Sequence, residues 1–120
     1  MSKTKTEEAI QAEIVQFLNL EGWYVIQYAK PGTHGRLRGA VASGHPDLLA
    51  IKGGQCCWFE VKRPGGRLSP AQKTMHENLV TLACRVYTVT CVEDCAVALS
   101  AWGFQVRTKF TRHENEPGEL

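Results

Sequence analysis

No run in this chain of 120 residues approaches the roughly 20 consecutive apolar residues that a membrane-spanning helix needs. The polar opening Met1-Ser2-Lys3-Thr4-Lys5-Thr6 runs straight into Glu7 and Glu8, without the apolar stretch of a secretion signal. The five cysteines are odd in number and include no Cys-x-x-Cys pair, which fits a reducing compartment and favours structural packing over zinc or redox chemistry. Cys56, Cys57, Cys84, Cys91 and Cys95 are expected to be reduced and mostly buried, in a cytosolic protein with no membrane partner and no organic cofactor.

Several catalytic signatures are missing as well. His76-Glu77 and His113-Glu114 each lack the second histidine of a His-Glu-x-x-His zinc helix. Ser69 has no histidine near it in sequence to activate it as a nucleophile. Gly32-Thr33-His34-Gly35 has the spacing of a KH-domain clamp, but that clamp joins two helices, and here the flanks read as strands. No Gly-Lys-Ser/Thr sequence closes a phosphate-binding P-loop.

Charge of one sign is absent from two segments. The net charge of +2 is too small to announce a nucleic-acid partner. Between Glu21 and Asp47, however, there is no acid at all, while Lys30, His34, Arg36 and Arg38 fall among glycines. Lys62, Arg63, Arg67 and Lys73 likewise precede the next acid, Glu77. On charge alone, solvated loops explain these segments slightly better than a binding surface does.

The remainder reads as one globular domain, with 43% hydrophobic and 22% charged residues. Residues 7 to 21 form an amphipathic helix in which Ile10, Ile14, Phe17 and Leu18 share a face, stopped by Gly22. One turn back along that face lies Glu7, which either complements the helix dipole or serves a site. Trp23 to Tyr28 reads as a strand, followed by the glycine-rich basic loop. Further on, Leu68-Ser69-Pro70-Ala71-Gln72 is a helix start, with Ser69 and Gln72 in capping-box positions, and Met75, Leu79 and Leu82 supply a buried stripe. Val86 to Val89 is another strand, and Thr90 to Trp102 a final helix opened by a Thr90–Glu93 capping box. Residues 105 to 111 are open between a last strand and a partner-binding arm, and the chain from His113 onward reads as a loose tail.

The most informative stretch is Pro46 to Lys62. Asp47-Leu48-Leu49-Ala50-Ile51 and Cys56-Cys57-Trp58-Phe59-Glu60-Val61-Lys62 are two strand-like runs joined through Gly53-Gly54, a tight-hairpin signal. Pairing outward from that turn sets Asp47 opposite Glu60, on one face with Leu49, Ile51, Trp58 and Lys62. Opposed residues have Cβ atoms about 5 Å apart, where like charges are destabilising. Lys62, the diagonal neighbour of Asp47, can relieve part of that repulsion, but a divalent cation answers the geometry better, because Mg²⁺ favours hard oxygen ligands and fills its shell with water.

Glu7-x-x-Ile10-Gln11, Gly44-x-Pro46-Asp47, Glu60-Val61-Lys62 and Leu68-Ser69-Pro70-x-Gln72, in this order, resemble the virus-type replication-repair nuclease (VRR-NUC) family of the PD-(D/E)XK superfamily. The resemblance runs from residue 7 to about 102. It implies an α/β fold, the restriction-endonuclease-like α-β-β-β-α-β core with a mixed central sheet flanked by helices. It also implies Mg²⁺- or Mn²⁺-dependent hydrolysis of DNA phosphodiesters. By resemblance, Asp47 and Glu60 are the central metal ligands, with Glu7 as the supporting helix acid at the metal and the carbonyl of Val61 as an additional ligand; Lys62 orients the attacking water and steadies negative charge, and Gln72 is an auxiliary group. Gln11 matches a recurring position without an assigned role. Lys30, His34, Arg36, Arg38, Arg63, Arg67 and Lys73 become candidate DNA contacts. The family further suggests a homodimer that cuts branched DNA in a bacterial or phage-infected cytosol, in the manner of Holliday-junction resolving enzymes. A nicking, flap-cutting or restriction-like nuclease is the alternative, and a catalytically idle nucleic-acid-binding module a more distant one.

Overall fold

The structure, a computed structural model, describes residues 5–28 and 44–110. Along the chain come α1 (Glu7–Leu20), β1 (Tyr24–Gln27), β2 (Leu48–Lys52), β3 (Gln55–Val61), α2 (Pro70–Thr81), β4 (Arg85–Val89) and α3 (Val92–Trp102). The strands form one sheet in the order β1-β2-β3-β4. The first two pairings are antiparallel, and β4 lies parallel to β3 after the α2 crossover. This is the α-β-β-β-α-β succession with a mixed sheet that the sequence implied, extended by α3.

Strand alternation divides the sheet into two unlike faces. Leu48, Ala50, Cys57, Phe59 and Val61 point to one side and are buried with Ile10, Ile14, Phe17 and Leu18 of α1 and Cys95, Ala96 and Leu99 of α3. Burying each large side chain of this set contributes about 1.5–3 kcal/mol, so this face is the core. The other face carries Leu49, Ile51, Trp58 and Glu60, and α2 reaches onto it.

The β2–β3 hairpin has the expected register. Lys52 pairs with Gln55 across Gly53 and Gly54, both of which have positive φ as a tight turn of this kind requires. Ser69 and Gln72 form the expected capping box at the start of α2.

Three expectations need correction. In α2, Met75 and Leu79 are half-buried and Leu82 is 72% exposed, so there is no buried stripe; the helix is an outer layer over the sheet. The Thr90–Glu93 capping box does not form. α3 begins at Val92, and it is Asp94 whose carboxylate accepts both the N–H (2.8 Å) and the hydroxyl (3.0 Å) of Thr90. The cysteines are all free, but only Cys57 and Cys95 are buried, whereas Cys56, next to the hairpin turn, is exposed.

After α3 the described segment, to residue 110, forms no strand; it is strapped across the core. Phe104 packs edge-on against Trp23 with ring centroids 4.8 Å apart, and Phe110 lies 6.0 Å from Phe17. Glu21, buried at the end of α1, fastens the strap by accepting the N–H groups of Arg107 (2.9 Å) and Thr108 (2.6 Å) and the Thr108 hydroxyl. Burial pushes the Glu21 carboxyl up, but these hydrogen bonds, with help from the Lys52 charge, outweigh it and hold the group below its ordinary value. The tail expected from His113 onward lies outside the described residues.

Candidate active site

The hairpin register carries one step past the end of β2. Leu48 faces Phe59, so Asp47 comes opposite Glu60, while Gln27 faces Leu48 and Tyr28 comes opposite Asp47. A backbone bond of 3.0 Å from the Tyr28 N–H to the Asp47 carbonyl continues that alignment. With Thr88 paired to Glu60, the row across the sheet reads Tyr28, Asp47, Glu60, Thr88. Asp47 and Glu60 are 2% and 0% exposed, and Lys62 is 9% exposed at the end of the same strand. Carboxylates are almost never buried this completely without compensation.

Part of that compensation is visible. Asp47 Oδ2 accepts the backbone N–H of Val61 at 2.7 Å, closing the β2–β3 ladder with a side chain. Val61 thus enters the site through its backbone, since its own side chain faces the core. Glu60 is gripped from α2 on both oxygens: Gln72 donates from Nε2 to Oε2 at 3.2 Å, and His76 donates from Nε2 to Oε1 at 3.0 Å. Gln72 does two jobs at once, because its amide oxygen accepts the Ser69 N–H at 2.8 Å as half of the capping box. That fixed oxygen turns the amide nitrogen toward Glu60.

His76 is the residue the sequence reading passed over. His76-Glu77 lacks the second histidine of a zinc helix, and that motif gives it no role here. The usable signal was its spacing, four residues after Gln72, which puts both on one face of α2. Burial foremost, and the nearby Lys62 charge next, lower its pKa, while Asp47 pulls the other way. The neutral ring with its proton on Nε2 suits the bond to Glu60.

Gly44 explains why the loop before Asp47 lies so close to α2. Its φ is +88°, and a Cβ there would sit 2.4 Å from the Ala71 carbonyl oxygen. Only glycine lets the chain entering Pro46-Asp47 press on the helix turn that carries Gln72.

Glu7 opens α1 and is half-buried, whereas Glu8 and Glu13 face solvent. One turn later, Gln11 donates to Gln27 Oε1 at 3.1 Å. Gln27 pairs with the residue next to Asp47, so the start of α1 is fastened to the Asp47 end of the sheet. Among the described residues no group of three or more His, Cys, Asp or Glu side chains converges to hold a metal. Asp47 and Glu60 offer hard carboxylate oxygens. These suit Mg²⁺ or Mn²⁺, which need one or two protein carboxylates and complete their shells with water and substrate oxygens.

Arg63, Arg67 and Lys73 are exposed on the turn and first helical turn after Lys62, beside the site. Lys30, His34, Arg36 and Arg38 lie outside the described residues.

No protein-family profile matches the sequence, and no curated protein matches it. Solved structures do. One described as a VRR_NUC domain superposes with a TM-score of 0.62 at 22% identity, covering 82% of this chain and 97% of the other. A second, a VRR_NUC domain protein, gives a TM-score of 0.61 at 19% identity, with coverage of 82% and 88%. At 19–22% identity the likeness is one of fold. The chain has the fold of the VRR-NUC domains.

Proposed function

We propose that this chain is a divalent-metal-dependent DNA endonuclease that hydrolyses phosphodiester bonds. The observation that carries this reading is the buried, opposed pair Asp47 and Glu60, braced by Val61, Gln72 and His76 and flanked by the buried Lys62. Such a site concentrates negative charge where a fold built only for stability would have placed apolar side chains. A bound cation would offset that charge, neutralise the phosphate oxygens and lower the pKa of a water.

The chain's own residues have distinct parts. Asp47 and Glu60 would hold the ion, with the Val61 carbonyl as a further oxygen donor. Gln72 and His76 keep Glu60 in one rotamer, so its oxygens are positioned before the ion arrives. Lys62 supplies fixed positive charge where the attacked phosphate gains negative charge. Glu7, at the fastened start of α1, would support the same metal site. Arg63, Arg67 and Lys73 would engage phosphates on either side of the cut, with the basic segment of Lys30, His34, Arg36 and Arg38 extending that contact.

Branched DNA is the proposed substrate, cut in two strands by a homodimer whose two-fold axis matches that of a four-way junction. A nicking or flap-cutting enzyme keeps the same chemistry on another DNA form. Cleavage of plasmid, duplex, flap and four-way-junction DNA, in Mg²⁺ and in EDTA, tests the reading. Cutting in Mg²⁺ alone, abolished by Lys62→Ala, is expected; cutting in EDTA, or an unaffected Lys62→Ala variant, overturns it.

A further inference from the structure

Beside the acids, on the same face of the sheet, lies a group of aromatic rings that the cleavage chemistry does not use. Tyr28 stands opposite Asp47 in the sheet row. Its ring centroid is 5.6 Å from that of Trp58, tilted by 36°, and 5.5 Å from that of His45, which meets it edge-on. Trp58 precedes Glu60 by two residues on β3, so it shares the Glu60 face at a distance of about 7 Å along the strand. All three rings are half-buried, although Trp58 is the largest side chain on the strand and its immediate partners, Leu49 and Val86, are apolar. The core of the molecule is on the opposite face, and α2 grips Glu60 without covering Trp58 completely.

We infer that Tyr28 and Trp58, with His45 at the edge, form a stacking platform for one unpaired nucleobase of the DNA strand being cut. This rests on the DNA reading above and deepens it: the preferred substrate has an unstacked base next to the scissile phosphate, as at a branch point, a bulge or a single-stranded arm. A base in a continuous duplex is stacked between its neighbours and cannot reach the floor of the sheet. An unpaired base can, and a ring stacked there would hold its own phosphate close to the Asp47–Glu60 row. Aromatic side chains recognise single-stranded nucleic acid in this way because every base has a π-face.

Binding in EDTA separates the possibilities, because it reads recognition without cleavage. Two probes are used: a fully paired DNA duplex, and the same duplex carrying one bulged 2-aminopurine. The wild-type chain is expected to bind the bulged probe more tightly and to quench its fluorescence. The preference for the bulge should fall roughly tenfold to a hundredfold in Trp58→Leu and substantially in Tyr28→Leu, while Trp58→Phe retains it. Thermal unfolding of each variant establishes that it folds, and quenching by the wild type needs no variant at all. Equal wild-type binding of both probes, or an unquenched bulge, overturns the platform while leaving the nuclease reading intact. Failure to bind either probe overturns the DNA reading and the platform together.

Discussion

The Gln72 amide is oriented by one end of its helix and aimed at Glu60: its oxygen accepts the Ser69 N–H at 2.8 Å, and its nitrogen donates to Glu60 Oε2 at 3.2 Å. A helix cap and a site contact share one side chain. Losing the Ser69 hydroxyl, which accepts the Gln72 N–H at 3.1 Å, should therefore disturb a carboxylate it never touches. Ser69→Ala is expected to cost about 1 kcal/mol of stability, about 4 °C in Tm, and to reduce cleavage as well. Gln72→Ala should reduce cleavage further, because it removes the donor itself. Calorimetry alongside initial cleavage rates checks both; a Gln72→Ala enzyme as active as wild type would show that the contact to Glu60 has no functional role.

Gly44 is the next point of leverage. Gly44→Ala would push a methyl into the Ala71 carbonyl at 2.4 Å and place a Cβ at a φ of +88°. The strain and the clash together should cost about 2–3 kcal/mol and displace the first turn of α2 from the Asp47 loop. Stability measured by urea unfolding should fall accordingly, with cleavage falling with it. An unchanged unfolding midpoint would mean that the loop and the helix do not approach each other so closely in solution.

The Glu21 latch gives a pH signature remote from the acids of the site. Its carboxyl is held below the ordinary value of 4.5 in the folded chain. A depressed folded-state pKa means that the latch contributes its full stability above about pH 4.5 and loses it as the pH falls through the folded value. Glu21→Gln should therefore be less stable than wild type at neutral pH, with the gap narrowing in acid. Thermal unfolding of both proteins between pH 7 and pH 3 checks this; a gap that stays constant would show that ionised Glu21 does not fasten the strap.

How much of this was legible in the sequence depended on the range of the interaction. The hairpin was, because Gly53-Gly54 and strict alternation fix register locally, and register alone sets Asp47 opposite Glu60. The capping box was, because Ser69 and Gln72 lie three residues apart. His76 was not, because its partner Glu60 is on another element, and only the placement of α2 over the site face brings them together. The same long range hid the Glu21 strap, whose partners lie 86 and 87 residues away, and the pairing of Tyr28 with Trp58. The expected burial of Met75, Leu79 and Leu82 failed for the complementary reason: helical spacing shows which face is apolar, but not whether the helix lies in the core or over the edge of a sheet.

Everything proposed for catalysis depends on Asp47 and Glu60 sharing one divalent ion. The most direct test is to count Mn²⁺ bound by the wild-type chain, Asp47→Asn and Glu60→Gln by electron paramagnetic resonance, in the absence of DNA. One bound ion in the wild type, with affinity lost or greatly weakened in each variant, is the predicted result. Equal Mn²⁺ binding by all three proteins would contradict it.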